Sequence, residues 1–356
     1  MKLPFSSITA YLNDCIAWHI FPGCVLAYIT AGQKTIITAG KLTYDPTSAG
    51  VTEQTVYDVA SITKAIPTSC LALTLCQDGV WSPSSRLIDF LPEFTGSFRE
   101  EITIRNLLTH TLDFDFQLSA KKHLPQEALL ETILTAPLRT PPGTTFAYAN
   151  ATSILLGLAV ERACGMPLNE AAHKFFFEPL GMTQSSFFPE PQWLRFIAPT
   201  EDDPWRGRTI CGEVHDESAW VLRPGVVAGS AGLFSTAPDL LRFVEMILFG
   251  GALDGCRFFT GETIALMHTN ALPPAIGASA ALGWELDQPV FMGTTSTPTT
   301  FGKTGFTGCS VVIDPGRETG MVLLTNHTFP RRRGDRNEIN AVRRAVADMI
   351  FGGGTA

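Results

Sequence analysis

The chain has 356 residues, 45% of them apolar and 17% charged, with 26 Lys and Arg set against 34 Asp and Glu for a formal net charge of -8. So low a charged fraction excludes a disordered or low-complexity chain. A pI near 5.4 excludes the clustered positive charge that a nucleic acid or an anionic membrane surface requires, and points to a small-molecule partner.

Taken in chain order, Phe5, Ile8, Leu12, Cys15 and Ile16 recur at helical spacing and predict an amphipathic helix. Asn13, Asp14 and His19 interrupt any apolar run there, so the segment does not match a signal peptide. No later stretch is long and uncharged enough to span a bilayer, and the expected location is cytoplasmic. Residues 24–30 and 34–39 are rich in β-branched side chains and flank Ala31-Gly32-Gln33, which predicts a hairpin. From about residue 61 to residue 250 the apolar pattern is mainly helical, as in 129–134, 154–162 and 240–249, broken by Pro/Gly-rich loops. Residues 310–314 and 321–325 flank Pro315-Gly316-Arg317 as a second hairpin. Ile339, Val342, Val346 and Ile350 then mark a final helix over 337–351, ended by Gly352-Gly353-Gly354.

Strands near both ends and helices between them predict an α/β (α+β) fold, an antiparallel sheet flanked by helices with an inserted helical region. The sheet domain is discontinuous, 1–60 plus about 251–356. The mostly helical region is about 61–250, and the active site lies at their junction. Eight cysteines without a CxxC pair read as buried free thiols.

Three short motifs carry the chemistry. In Ser61-Ile62-Thr63-Lys64, a helical turn puts the lysine amine beside the serine hydroxyl, which is a poor nucleophile until a base removes its proton. Ser119-Ala120-Lys121-Lys122 has the same spacing but sits in a polar stretch and reads as a solvated loop. In Tyr148-Ala149-Asn150, cationic neighbours would stabilise a phenolate at Tyr148, while Asn150 would bind a substrate carbonyl, hold Lys64 or merely cap the next helix. Tyr11-Leu12-Asn13 repeats that pattern by chance. In Lys303-Thr304-Gly305, small residues beside a lysine leave an open strand edge where an acyl substrate can lie, with Lys303 available to a substrate carboxylate or to the Tyr148 hydroxyl.

In this order and at these separations, the three motifs resemble the SxxK, YxN and KTG signature of penicillin-binding proteins, class C β-lactamases and related carboxylesterases. Residues 57–64, the run Ile104-Arg105-Asn106-Leu107-Leu108-Thr109-His110-Thr111, and Ala231-Gly232-Leu233-Phe234-Ser235-Thr236 extend the likeness over about residues 5–350. The resemblance implies a β-lactamase/transpeptidase-like fold and hydrolysis through an acyl-enzyme. Ser61 is then the nucleophile, and Lys64 and Tyr148 share acid/base duty. Asn150, Lys303, Thr304 and Gly305 bind substrate, and the backbone N–H groups of Ser61 and Phe306 form the oxyanion hole. No cofactor or metal is implied.

Two departures from the family pattern stand out. Ser230 takes a position where many relatives have histidine, and Leu112-Asp113-Phe114 replaces a small Ser-Gly. Phe114, Phe116, Phe187 and Phe188 would give the pocket an apolar, ester-friendly character. A Ser-His-Asp triad is disfavoured because the chain has no G-x-S-x-G elbow. His215-Asp216-Glu217 lacks a second ligand cluster and reads as a loop hydrogen-bonding group, and Arg331-Arg332-Arg333 reads as a solvated loop. The expected substrates are small esters, amides or β-lactams, with D-alanyl peptides as the alternative and an acylatable sensor or scaffold as the non-enzymatic one.

Overall fold

The computed structural model describes residues 7–352, so Phe5 of the first helix and Gly353 and Gly354 of the last stop lie outside the described residues. Helix α1 spans Ile8–Ala17 and is capped by the Ser7 hydroxyl, which accepts from the Ala10 N–H at 3.1 Å. Strands β1 (Gly23–Thr30) and β2 (Gln33–Gly40) form the first hairpin. Its two loop residues, Ala31 and Gly32, have φ of 50° and 76°, the double positive φ that matches strand twist in a type I′ turn.

Short strands β3 (Tyr57–Asp58) and β4 (Phe234–Ser235) pair with each other apart from the main sheet. Strands β5 (Glu285–Leu286), β6 (Phe301–Thr304), β7 (Ser310–Asp314) and β8 (Thr319–Thr325) complete an antiparallel six-stranded sheet of order β2-β1-β8-β7-β6-β5. The first strand therefore sits beside the last, with Val25 opposite Leu324 and Ala27 opposite Val322.

Helices α2 (Cys70–Gln77), α3 (Ile104–Leu108), α4 (Gln126–Leu134), α5 (Asn150–Cys164), α6 (Glu217–Leu222) and α7 (Ala237–Leu248) occupy the middle of the chain, and α8 (Asn337–Phe351) closes it. Alternate residues of a strand face opposite sides, and both sides are covered. Cys24, Leu26, Met321 and Leu323 pack with Leu12, Cys15, Val342 and Val346 of α1 and α8. Val25, Ala27, Val322 and Leu324 join the large core that runs through the helical middle. Strands buried on both faces read as unbroken apolar runs, which is why β1 and β8 are so legible. Helix α7 packs on β8 and β1, so part of the 61–250 region belongs structurally with the sheet. Among the described residues no single helix is long and apolar enough to cross a membrane.

Candidate active site

The segment that carries Ser61 is built by Asp58. Its carboxylate accepts the Ala60 N–H at 2.8 Å and the His215 N–H at 2.7 Å, holding Ala60 at a φ of 48° just before Ser61. Residues Ala60–Lys64 then form a 3₁₀ turn, in which side chains three apart eclipse one another. Lys64 Nζ accordingly donates to Ser61 Oγ at 2.8 Å. The helix does not run on: Ile66 leaves helical geometry at φ -113° and ψ 111°, the Ile66–Pro67 peptide is cis, and regular α-helix resumes at Cys70. Pro67 cannot supply an N–H to a continuous helix, and the break accommodates it.

Lys64 is 1% exposed, and its second partner is the Ser230 carbonyl at 2.8 Å. Asn150 does not hold it: Asn150 Nδ2 donates instead to Asp216 Oδ2 at 2.8 Å, and Asn150 is the first residue of α5 rather than its cap, which is Ala149. Burial pushes the Lys64 ammonium below its ordinary value, outweighing the opposite pull of Tyr148 and Asp216. A lysine so displaced has a larger neutral fraction able to take the Ser61 proton.

Tyr148 sits between two lysines, Lys64 Nζ at 5.2 Å and Lys303 Nζ at 4.6 Å from its ring centre. Burial of the phenol opposes its ionisation, but the two ammonium groups outweigh that and hold it below its ordinary value. Lys303 is 2% exposed and donates to Glu285 Oε1 at 2.8 Å across the β5–β6 edge. Burial would lower it, yet Glu285 and Tyr148 together raise it, so it stays cationic. Beside Tyr148 lies His110, with ring centres 4.7 Å apart. Burial, then Lys303 and Lys64, push this imidazole well down, so it is neutral there.

Gly305 and the turn after it bring the strand edge to the Ser61 segment. A Cβ at Gly305 would collide with the Val59 carbonyl, so glycine alone permits this approach. The Gly305 N–H donates to the Cys309 carbonyl at 2.7 Å, and the Thr307 hydroxyl to the Asp58 carbonyl at 2.7 Å. Arg343 of α8, buried at 1% exposure, donates to the carbonyls of Gly305, Cys309 and Gly308 at 2.7, 2.9 and 3.3 Å.

Ser61, Tyr148, Thr304 and Phe306 line one cavity of about 510 Å³, together with Glu285, Arg336 and Asn340. A second lobe of about 410 Å³ shares Tyr148 and Arg336 and is walled by Phe114, Phe116, Leu118 and Asn150. The departure at 112–114 thus does face the site, with Asp113 bound to Arg139 at 3.1 Å on its rim. Phe187 and Phe188 line a different cavity that does not contain Ser61.

The remaining motifs fall elsewhere. Ser119 is exposed in a 3₁₀ turn, Lys122 pairs with Glu217 at 3.3 Å, Tyr11 is buried in α1, and Asn13 is exposed. His215, Asp216 and Glu217 point at three different partners, Glu201, Asn150 and Arg332. Arg332 is no free loop cation: it pairs with the buried Glu201 at 2.6 Å and with Glu217 at 2.9 Å. All eight cysteines are free, but Cys256 is exposed and Cys76, Cys164 and Cys211 are half-buried. Asp58, His110, Asp216 and Glu285 were not expected at the site. Arg343 had a signal, a charge on the apolar face of 339–350, whereas Glu285 lies on a two-residue strand that leaves no periodicity to read.

This fold and this Ser-Lys-Tyr arrangement define an acyl-transferring serine enzyme. The chain belongs to the Beta-lactamase family, whose model matches residues 10–344. A protein of Escherichia coli (strain K12) named as a candidate D-alanyl-D-alanine carboxypeptidase is 31% identical over 307 residues, covering 77% of this chain and 70% of that one. Among solved structures, a beta-lactamase/D-alanine carboxypeptidase from Pseudomonas syringae has a TM-score of 0.77 at 20% identity, covering 98% of both chains. EstCE1, a hydrolase with promiscuous acyltransferase activity, has a TM-score of 0.75 at 20% identity over 94% of this chain and 97% of that one. The protein is a serine hydrolase that works through an acyl-enzyme.

Proposed function

We propose that Ser61 is the acylated nucleophile and that the substrates are small esters, amides or β-lactams. The observation that carries this reading is the 2.8 Å Lys64–Ser61 contact beside a phenol flanked by two ammonium groups. Ser61 Oγ attacks the substrate carbonyl carbon while its proton passes to the Lys64–Tyr148 pair, whose titrations are coupled. The carbonyl oxygen becomes an oxyanion received by the N–H groups of Ser61 and Phe306. Tyr148 then protonates the leaving group as its bond to carbon breaks, giving the acyl-enzyme. Water repeats the sequence, losing its proton to the same pair and releasing the acid from Ser61.

Lys303 is already matched by Glu285, so a substrate carboxylate finds its counter-charge at Arg336, which has no carboxylate partner among the described residues and borders both lobes. The Phe114 and Phe116 lobe suits an apolar acyl group. A D-alanyl peptide, with its terminal carboxylate, is the second reading, favoured by Arg336 and by the Escherichia coli relative. The test is turnover of p-nitrophenyl butyrate, nitrocefin and an acylated D-alanyl-D-alanine by wild type and Ser61→Ala, with intact-mass detection of the adduct. Loss of turnover by at least about 10³-fold is expected. Retained turnover in Ser61→Ala sinks the nucleophile assignment, and a permanent wild-type adduct without turnover favours a sensor.

A further inference from the structure

Behind Phe306 lies a set of polar side chains, His215 and Glu201 buried and Arg332 exposed, that the acylation steps do not use. His215 is 4% exposed, and its ring lies 5.6 Å from that of Phe306 at an interplanar angle of 22°. Its Nε2 meets Glu201 Oε2 at 2.9 Å. Glu201, 3% exposed, is gripped in turn by Arg332, whose Nε lies 2.9 and 2.8 Å from its two oxygens. The Arg332 and Arg336 guanidinium groups sit 5.7 and 5.2 Å from the Phe306 ring centre. The Phe306 side chain is thus fixed by an imidazole and two guanidinium groups.

The backbone is tied to the same point. Asp58 accepts from the N–H of Ala60, immediately before Ser61, and from the N–H of His215, while its carbonyl accepts from Thr307, immediately after Phe306. One buried residue therefore joins both prospective oxyanion donors to His215. Burying His215 and Glu201 costs solvation that an apolar residue against Phe306 would not, whereas Arg332 reaches Glu201 from an exposed loop. What the cluster adds is directional: each member fixes the next.

We propose that His215 is a positioning residue: its ring, fixed by Glu201, holds Phe306 so that the Phe306 N–H converges with the Ser61 N–H on one oxygen. This rests on the reading of those two groups as oxyanion donors. Removing one such donor outright lowers kcat by about 10² to 10³, so loosening it costs less than that.

The test uses the full chain as wild type, His215→Ala, His215→Phe and Glu201→Gln. It measures kcat and KM for p-nitrophenyl butyrate and the affinity of phenylboronic acid, whose tetrahedral adduct with a serine places an oxygen in the hole. His215→Ala is expected to lower kcat by about tenfold with KM changed less than about twofold, and to weaken the boronate by a similar factor. His215→Phe keeps a flat ring on Phe306 and is expected to restore at least half of that loss on a logarithmic scale, with Glu201→Gln falling between. Should His215→Ala not fold, His215→Phe and Glu201→Gln still make the comparison, because only the second keeps the imidazole while weakening its anchor. A change confined to KM, a lower kcat with unchanged boronate affinity, or equal activity in all folded variants overturns the proposal. Turnover surviving in Ser61→Ala is a separate result that removes the function itself.

Discussion

Lys303→Met removes the ammonium nearest the Tyr148 ring while keeping most of the side-chain volume. A unit charge 4.6 Å from the ring centre is worth about 3.6 kcal/mol at an effective dielectric constant of ~20. Tyr148 is 44% exposed, and solvent screening roughly halves this to ~1.8 kcal/mol. The sign is upward, since Lys303 favours the phenolate; it also depresses Lys64, so both members of the proton-accepting pair rise together. The acidic limb of kcat/KM for p-nitrophenyl butyrate should therefore move to higher pH, with activity below the limb falling roughly tenfold. Glu285 opposes ionisation of Tyr148, so adding Glu285→Gln to Lys303→Met should return the limb part of the way. A limb that stays in place or moves to lower pH in Lys303→Met refutes the electrostatic account of Tyr148.

Three further outcomes follow from the site's supports. Arg343→Met strips hydrogen bonds from three carbonyls around the turn at Gly305, and should cost about 3 kcal/mol in urea unfolding with an unchanged slope; a loss below about 1 kcal/mol contradicts that role. Burial alone would raise Glu201, but hydrogen bonds from His215 and Arg332 prevail and hold its carboxyl at about 2, against an ordinary 4.5. A depressed folded value stabilises above the unfolded one, so ~3 kcal/mol present at neutral pH should drain away as pH falls from about 4.5 towards 2. Denaturant titrations of Glu201→Gln should lack that slope, and a slope equal to wild type argues against it. Gly305→Ala should lower kcat/KM by at least about tenfold, because its methyl group must push the strand edge from Val59 and Ser61; wild-type rates would show that the approach is looser than the geometry implies.

The hairpins, the final helix and the Ser61–Lys64 pairing were readable because each rests on local chemistry: short apolar β-branched runs, a glycine turn, a helical period, a spacing of three. Ser119 and Lys122 have the same spacing without a site, since their turn lies in a polar stretch and Lys122 is drawn to Glu217. What the chain does not display is convergence. Asp216 and Glu285 lie far in sequence from Asn150 and Lys303, and nothing in their immediate neighbours marks them as partners. The expected supports of Lys64 illustrate the same limit. A side-chain amide is a visible candidate, whereas the group that does the work is the Ser230 carbonyl, and every residue has one. The run at Arg331-Arg332-Arg333 is the exposed loop its composition suggests, but only the fold places two carboxylates within reach of Arg332.

The pairing of β1 with β8 has a consequence for when the molecule becomes active. The strand made first waits, one edge bare, until the strand made last arrives beside it. Ser61 and Lys64 are likewise synthesised long before Lys303, Phe306 and the arginine of α8 that shapes their turn. A ribosome-bound chain can own Ser61 and still lack the Phe306 N–H and the Lys303 ammonium. Such contacts between distant parts of a chain form slowly. A chain that stops before β6 lacks both Lys303 and Phe306, and should therefore turn over substrate far more slowly than one that includes them.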